Sequence, residues 1–153
     1  MNKTAPLNIF VVHNDPFFLQ LMYDNLLAIG QSSVYLFDNS SDCILHLPEK
    51  PDVIFIDYRM DNLDGIEIMK KIHRYDHDIV VIFVFEQNSI EQSIDVLLNG
   101  AFDHIGRKDV SYHALELLMQ RIVRFKKRMK LLQQHQHRDR NPFRKFLRNT
   151  GLL

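Results

Sequence analysis

Short, almost wholly apolar runs recur along the chain at residues 7–12 (LNIFVV), 34–37 (VYLF), 53–56 (VIFI) and 79–85 (IVVIFVF). They are rich in β-branched and aromatic residues and do not alternate with polar ones. Each therefore predicts a strand, and residues 7–12 and 53–56 read as strands buried on both faces, as in a parallel sheet covered by helices. The intervening segments supply the helices. Asp15-Pro16 is an N-cap followed by proline at the first helical position, and Phe18, Leu19, Met22, Leu26 and Leu27 continue one apolar face as far as Gly30. Asn39 or Ser40 caps a short helix through Cys43, Ile44 and Leu47, before Pro51 breaks the chain. Ile66, Ile68, Met69 and Ile72 mark a third helix. Ser89 caps a fourth, whose face is Ile90, Ile94, Leu97 and Leu98 and whose stop is Asn99-Gly100. Residues 101–105 form a short fifth strand, and the last helix begins near Ser111.

Five strands alternating with five helices over about 120 residues predict an α/β, doubly wound five-stranded parallel sheet. The chain has 153 residues, 46% hydrophobic and 25% charged, enough for one globular domain and an appendage. No apolar run approaches the roughly 18 residues that cross a bilayer, and no apolar signal segment follows Met1-Asn2-Lys3-Thr4. The lone Cys43, set in an apolar run, reads as a buried structural thiol. A cytoplasmic location with no membrane partner is the expectation. Zero net charge hides a division: residues 1–120 carry eight bases and 18 acids, whereas residues 121–153 carry eleven bases and one acid, Asp139. Such asymmetry points to an appendage with its own task.

In an open α/β sheet, sites gather beyond the carboxyl ends of the strands. Here those positions hold His13, Asn14 and Asp15 after the first strand and Asp57 after the third. Phe85 and Glu86 follow the fourth, and Gly106, Arg107 and Lys108 the fifth. The first strand lacks a glycine-rich loop, which argues against a dinucleotide or nucleoside-triphosphate site. No serine or cysteine sits on a glycine-flanked strand-to-helix elbow, which argues against a hydrolase. No nucleophile–base pair is identifiable, so an enzyme is not expected.

The segment from Pro51 through Asp57 and Met60 to Asp64-Gly65 resembles the phosphoacceptor segment of bacterial response-regulator receiver domains. Val12-His13-Asn14-Asp15-Pro16 sits where that family has its acidic cluster, and Asn99-Gly100-Ala101 resembles its turn before the fifth strand. The resemblance covers about residues 7–125 and implies a flavodoxin-like receiver of strand order 2-1-3-4-5, to which the pattern of the later residues adds an extended C-terminal helix. It implies Asp57 as phosphoacceptor, a histidine kinase or phosphotransfer protein as partner, and a role in a phosphorelay. The expected phosphoryl-site lining is His13, Asn14, Asp15, Phe85, Arg107 and Lys108, with His104 at the aromatic switch position. The ligands implied for Mg²⁺ are Asp57, Asn14 and the backbone carbonyl of Arg59.

Several positions depart from the family pattern. The acidic pair is His13 and Asn14, which removes two carboxylates from a site for a hard cation, so Mg²⁺ binding is expected to be weak or absent. Phe85 stands where a hydroxyl is usual, Arg107 where a lysine is usual, and Asp61 where a proline is usual. His13 with Asp57 reads either as a hydrogen-bonded pair or as part of a transition-metal site, the former being commoner.

Beyond Ser111, Leu115, Leu118, Ile122, Phe125, Met129 and Leu132 advance by threes and fours, a heptad pattern. The early members belong to a domain of residues 5–125. Phe125, Met129 and Leu132 lead into a basic helical extension, residues 126–153, and predict a homodimer or partner helix. Asn141-Pro142 starts a short helix with Phe143, Phe146 and Leu147 on one side. Two alternatives remain: a degenerate receiver that signals without phosphate as a dimerisation or adaptor module, and a nucleic-acid-binding adaptor acting through the basic tail. No helix-turn-helix or zinc pattern supports the latter.

Overall fold

The computed structural model describes residues 6–60, 63–87, 89–140 and 142–152. Five strands, β1 (Asn8–Val12), β2 (Ser33–Phe37), β3 (Val53–Asp57), β4 (Val80–Phe85) and β5 (Asp103–Gly106), form one parallel sheet in the order β2-β1-β3-β4-β5. This is the predicted order. The winding of successive strands reverses between β1 and β3, so loops on either side of that point diverge and open a crevice at the carboxyl edge. The register from Val53↔Val80 to Asp57↔Val84 carries Asp57 to that edge.

The sheet is flanked by helices α1 (Pro16–Ala28), α2 (Ser40–Leu45), α3 (Gly65–Tyr75) and α4 (Ile90–Leu98), followed by α5 (Tyr112–Arg140) and α6 (Pro142–Asn149). Polar side chains start them as the sequence requires: Asp15 accepts from Phe17 N–H, Asn39 from Asp42 N–H, Asp64 from Ile66 N–H and Ser89 from Gln92 N–H. One core cluster joins Phe10, Ile54, Ile56 and Phe83 of the strands to Ile68, Met69 and Ile72 of α3 and to Cys43. Burial pushes the Cys43 thiol up to about 12, which leaves it un-ionised and structural. Elsewhere α1 lies along β1 and β2 and buries Phe18, Leu19, Met22 and Leu26.

Two local expectations are corrected and one feature is added. Leu27 is 40% exposed, because successive helical residues point about 100° apart and Leu26 takes the inward position. In α4 the expected apolar face is turned outward: Val96 is the buried residue, while Ile90 and Leu98 are 81% and 82% exposed. The loop after Asp57 contains a small antiparallel ribbon, Arg59–Met60 paired with Leu63–Asp64. Asp61 lies outside the described residues.

The chain divides into two compact units, residues 1–117 and 118–153. The first holds the sheet, α1 to α4 and the start of α5. In the second, Leu118, Met119, Ile122 and Val123 are buried, whereas Phe125 and Leu132 are 40% and 53% exposed. None of the helices among the described residues is long and apolar enough to cross a membrane.

Candidate functional site

A cavity of about 560 Å³ opens at the carboxyl edge of the sheet, lined by His13, Asn14, Asp57, Tyr58, Arg59, Phe85, Glu86, Gln87, Ser89, Gln92 and Arg107. Asp57 enters it as the last residue of β3. Its Oδ1 accepts from the Arg59 backbone N–H at 3.2 Å, and its Oδ2 lies 3.4 Å from His13 Nε2. The ribbon behind it is held by Gly65, whose N–H bonds Tyr58 O at 3.0 Å. A Cβ at Gly65 would sit 2.7 Å from the Phe83 ring and 2.8 Å from Tyr58 O, so a side chain there has no room.

His13 extends the β1 ladder, its N–H bonding Phe37 O at 3.0 Å. Its ring is almost fully buried and packs against Phe18 with centroids 4.4 Å apart. The Asp15 backbone N–H donates to His13 Nδ1 at 3.0 Å. An Nδ1 that accepts carries a lone pair, so the neutral ring bears its proton on Nε2, the nitrogen that faces Asp57. Burial pushes His13 below the usual imidazole range and, as the largest cause, raises Asp57 above the usual carboxylate range.

The other predicted positions fall around this pair unequally. Arg107 forms an ion pair with Asp15, and its guanidinium carbon lies 5.4 Å from the Phe18 ring centroid. The hydrogen bond from Arg107 holds Asp15 below the usual carboxylate range. Asp15 is thus a helix cap and a partner of Arg107 rather than part of the cavity wall. Lys108 is exposed and also outside the lining, because the 3₁₀ turn Arg107–Asp109 sends successive side chains in different directions. Phe85 is buried, with ring centroids 4.9 Å from Tyr58 and 5.5 Å from His104. His104 Nδ1 is buried without a hydrogen-bond partner among the described residues. Sequence reasoning did not single out Tyr58, Gln87 or Gln92 as lining, nor Phe18 as the brace between His13 and Arg107. The β4–α4 loop residues could have been found from their place just past a strand end; Phe18 reads only as core.

The donor set does not fit a Mg²⁺ ion, which takes oxygen ligands in near-octahedral array. A ligating histidine donates its second ring N–H outward and offers a lone pair to the metal; His13 has the reverse arrangement. Among the described residues, the metal-capable trio close enough to hold an ion is Asp76, His77 and Asp78. These side chains are exposed and precede β4, level with the start of β3 rather than with Asp57.

Comparison with known proteins decides the family. The response regulator receiver domain family matches residues 9–122. The chain belongs to that family. Like other receivers it is a regulatory module of phosphorelay signalling and not an enzyme. It is similar to the transcriptional regulatory protein GlrR of Escherichia coli K12, 26% identical over 114 residues, which are 72% of this chain and 26% of the relative. It is also similar to the regulatory protein AtoC of the same strain, 31% identical over 87 residues, covering 56% of this chain and 19% of that one. The receiver thus spans about a quarter or less of the length of these curated relatives. Among solved structures, a CheY-like receiver domain from Methanospirillum hungatei JF-1 superposes with a TM-score of 0.72 at 19% identity, covering 82% of this chain and 99% of that one. The receiver domain of Francisella response regulator 1452 gives 0.70 at 21% identity, covering 78% and 98%. At these identities the two structures establish the shared fold.

Proposed function

We propose that Asp57 is the phosphoacceptor of this receiver and that the chain signals by protein contact. One observation carries the reading: the strand-end carboxylate of Asp57 faces the cavity with its two oxygens set against the Arg59 N–H and His13. In the step envisaged, an Asp57 oxygen attacks the phosphorus of a phosphohistidine on a kinase or phosphotransfer protein. The new P–O bond forms as the P–N bond breaks, and the departing imidazole takes a proton from water. His104, in edge contact with Phe85, is the switch position. Residues 5–125 form the receiver and residues 126–153 a basic extension, and Phe125, Met129 and Leu132, where the one runs into the other, join two copies or hold a partner.

A second reading, signalling without phosphate, is favoured by Phe85. Its ring is buried between Tyr58 and His104 and has no proton to donate to a phosphoryl oxygen. Intact-mass measurement after exposure to a small-molecule phosphodonor separates the two. The acceptor reading expects one added phosphoryl group on the wild type and none on Asp57→Asn. A wild type that stays unmodified both with and without Mg²⁺ sinks it in favour of the second reading.

A further inference from the structure

We infer that His13 stands in for a divalent cation in the Asp57 pocket: its Nε2–H faces the carboxylate where the family's acidic pair would hold an ion, and the pocket excludes such ions. The inference deepens the reading of Asp57 as acceptor, although the geometry behind it is independent of phosphorylation.

Three observations converge. First, the ring is oriented from behind. It is packed against Phe18 at 4.4 Å, and its Nδ1 is occupied by the Asp15 backbone N–H at 3.0 Å, an interaction fixed by the turn that starts α1. Nε2 therefore carries the ring proton and presents a positive edge to Asp57 Oδ2, 3.4 Å away. For a metal to bind at Nε2, the ring would have to lose its remaining proton or give up the Asp15 N–H, and a hard cation rewards neither. Second, Asp15 is already committed, being ion-paired with Arg107, whose guanidinium is itself seated over Phe18, so that among the described residues Glu86 is the one carboxylate besides Asp57 in the cavity lining. Third, no trio of metal-capable side chains gathers at Asp57 among the described residues. His13 thus holds an N–H edge against Asp57 that needs no dissociable ion and no oxygen cage.

The test uses the full chain and Mn²⁺ as a paramagnetic probe. In ¹⁵N-histidine spectra, His13 should show a protonated Nε2 and an unprotonated Nδ1. Millimolar Mn²⁺ should leave the amide signals of His13, Asp57 and Arg59 unbroadened. The variant His13→Asp/Asn14→Asp restores two carboxylates and should bind Mn²⁺ at least about tenfold more tightly than the wild type, since affinity for hard cations follows ligand charge. Selective broadening of the wild-type pocket by Mn²⁺, or a proton on Nδ1, overturns the inference. So does a folded double variant that gains no affinity. If the double variant fails to fold, the two wild-type spectra still decide. A wild type that is never phosphorylated yet shows these spectra defeats the acceptor reading and leaves this one standing.

Discussion

Helices α3 and α4 are built from similar residues and treated in opposite ways. Both space Ile, Leu or Met by threes and fours, and both follow a strand end that lines the cavity. Helix α3 buries Ile66, Ile68, Met69 and Ile72 and leaves Lys70, Lys71 and Arg74 outside. Helix α4 buries Val96 and exposes Ile90 by 81%, Ile94 by 52%, Leu97 by 44% and Leu98 by 82%. Exposed apolar side chains that share one helix face mark a surface for another protein. The contrast separates the part of the receiver that holds the fold from the part available for contact. It also shows that helical spacing identifies a helix without saying which side of it is inside.

The sharpest way to break this contrast is truncation. Ile72→Ala removes a fully buried side chain and should cost about 2–5 kcal/mol of unfolding free energy. Leu98→Ala, a change of similar size on an exposed site, should stay within about 0.5 kcal/mol. Denaturant titration of both variants is the check, and equal losses would mean that α4 is packed like α3. Next in size is Gly65→Ala. Its Cβ would press on Tyr58 O and the Phe83 ring, so overpacking should cost about 1–3 kcal/mol, and shift Asp57 through the displaced ribbon. An unchanged melting temperature would show that the ribbon yields freely.

What the sequence revealed and concealed follows the same division. Strands buried on both faces announce themselves by unbroken apolar runs, so β1, β3 and β4 were legible to within about a residue or two. Asp57 was legible because it closes such a run. The α4 face was misread because the sheet demands only that something small fit there, and Val96 meets that demand alone. The ribbon of Arg59–Met60 with Leu63–Asp64 was missed because two residues per strand carry no periodicity. The pairing of Arg107 with Asp15 spans 92 positions, and nothing local to either residue records it. Without it, Arg107 looks free for a phosphoryl group.

Surface substitutions should leave stability alone and change association instead. Ile94→Glu with Leu98→Glu in α4, and Phe125→Glu with Met129→Glu in α5, should each keep unfolding free energy within about 0.5 kcal/mol of the wild type. By light scattering, the α5 pair should shift the proposed homodimer to monomers, since burying large apolar side chains supplies about 1.5–3 kcal/mol each. The α4 pair should leave the dimer intact and reduce binding to a phosphodonor partner. A wild type that is monomeric at high concentration would reassign Phe125, Met129 and Leu132 to a different partner. Dimers lost through the α4 pair would merge two surfaces that are separate on the present reading.

The smallest expected effect is a slope with pH, and it belongs to the inward-facing groups alone. Burial lowers His13, so the folded state releases its proton more readily than the unfolded chain does. Stability from this source is fully present above the ordinary imidazole value of about 6.5 and is lost as pH falls through the lowered, folded value. Burial raises Asp57, with the opposite sign: stability is lost as pH rises from the ordinary carboxylate value of about 4 through the raised, folded value. The two contributions therefore oppose each other in mildly acid solution, and a wild-type curve alone understates both. Single substitutions separate them. Relative to His13→Gln, the wild type should lose stability as pH falls from about 7 to 5; relative to Asp57→Asn, it should gain over the same interval. Parallel curves for wild type and His13→Gln would mean that the pocket tolerates a charged imidazole, and that His13 is no more constrained than the exposed side chains of α4.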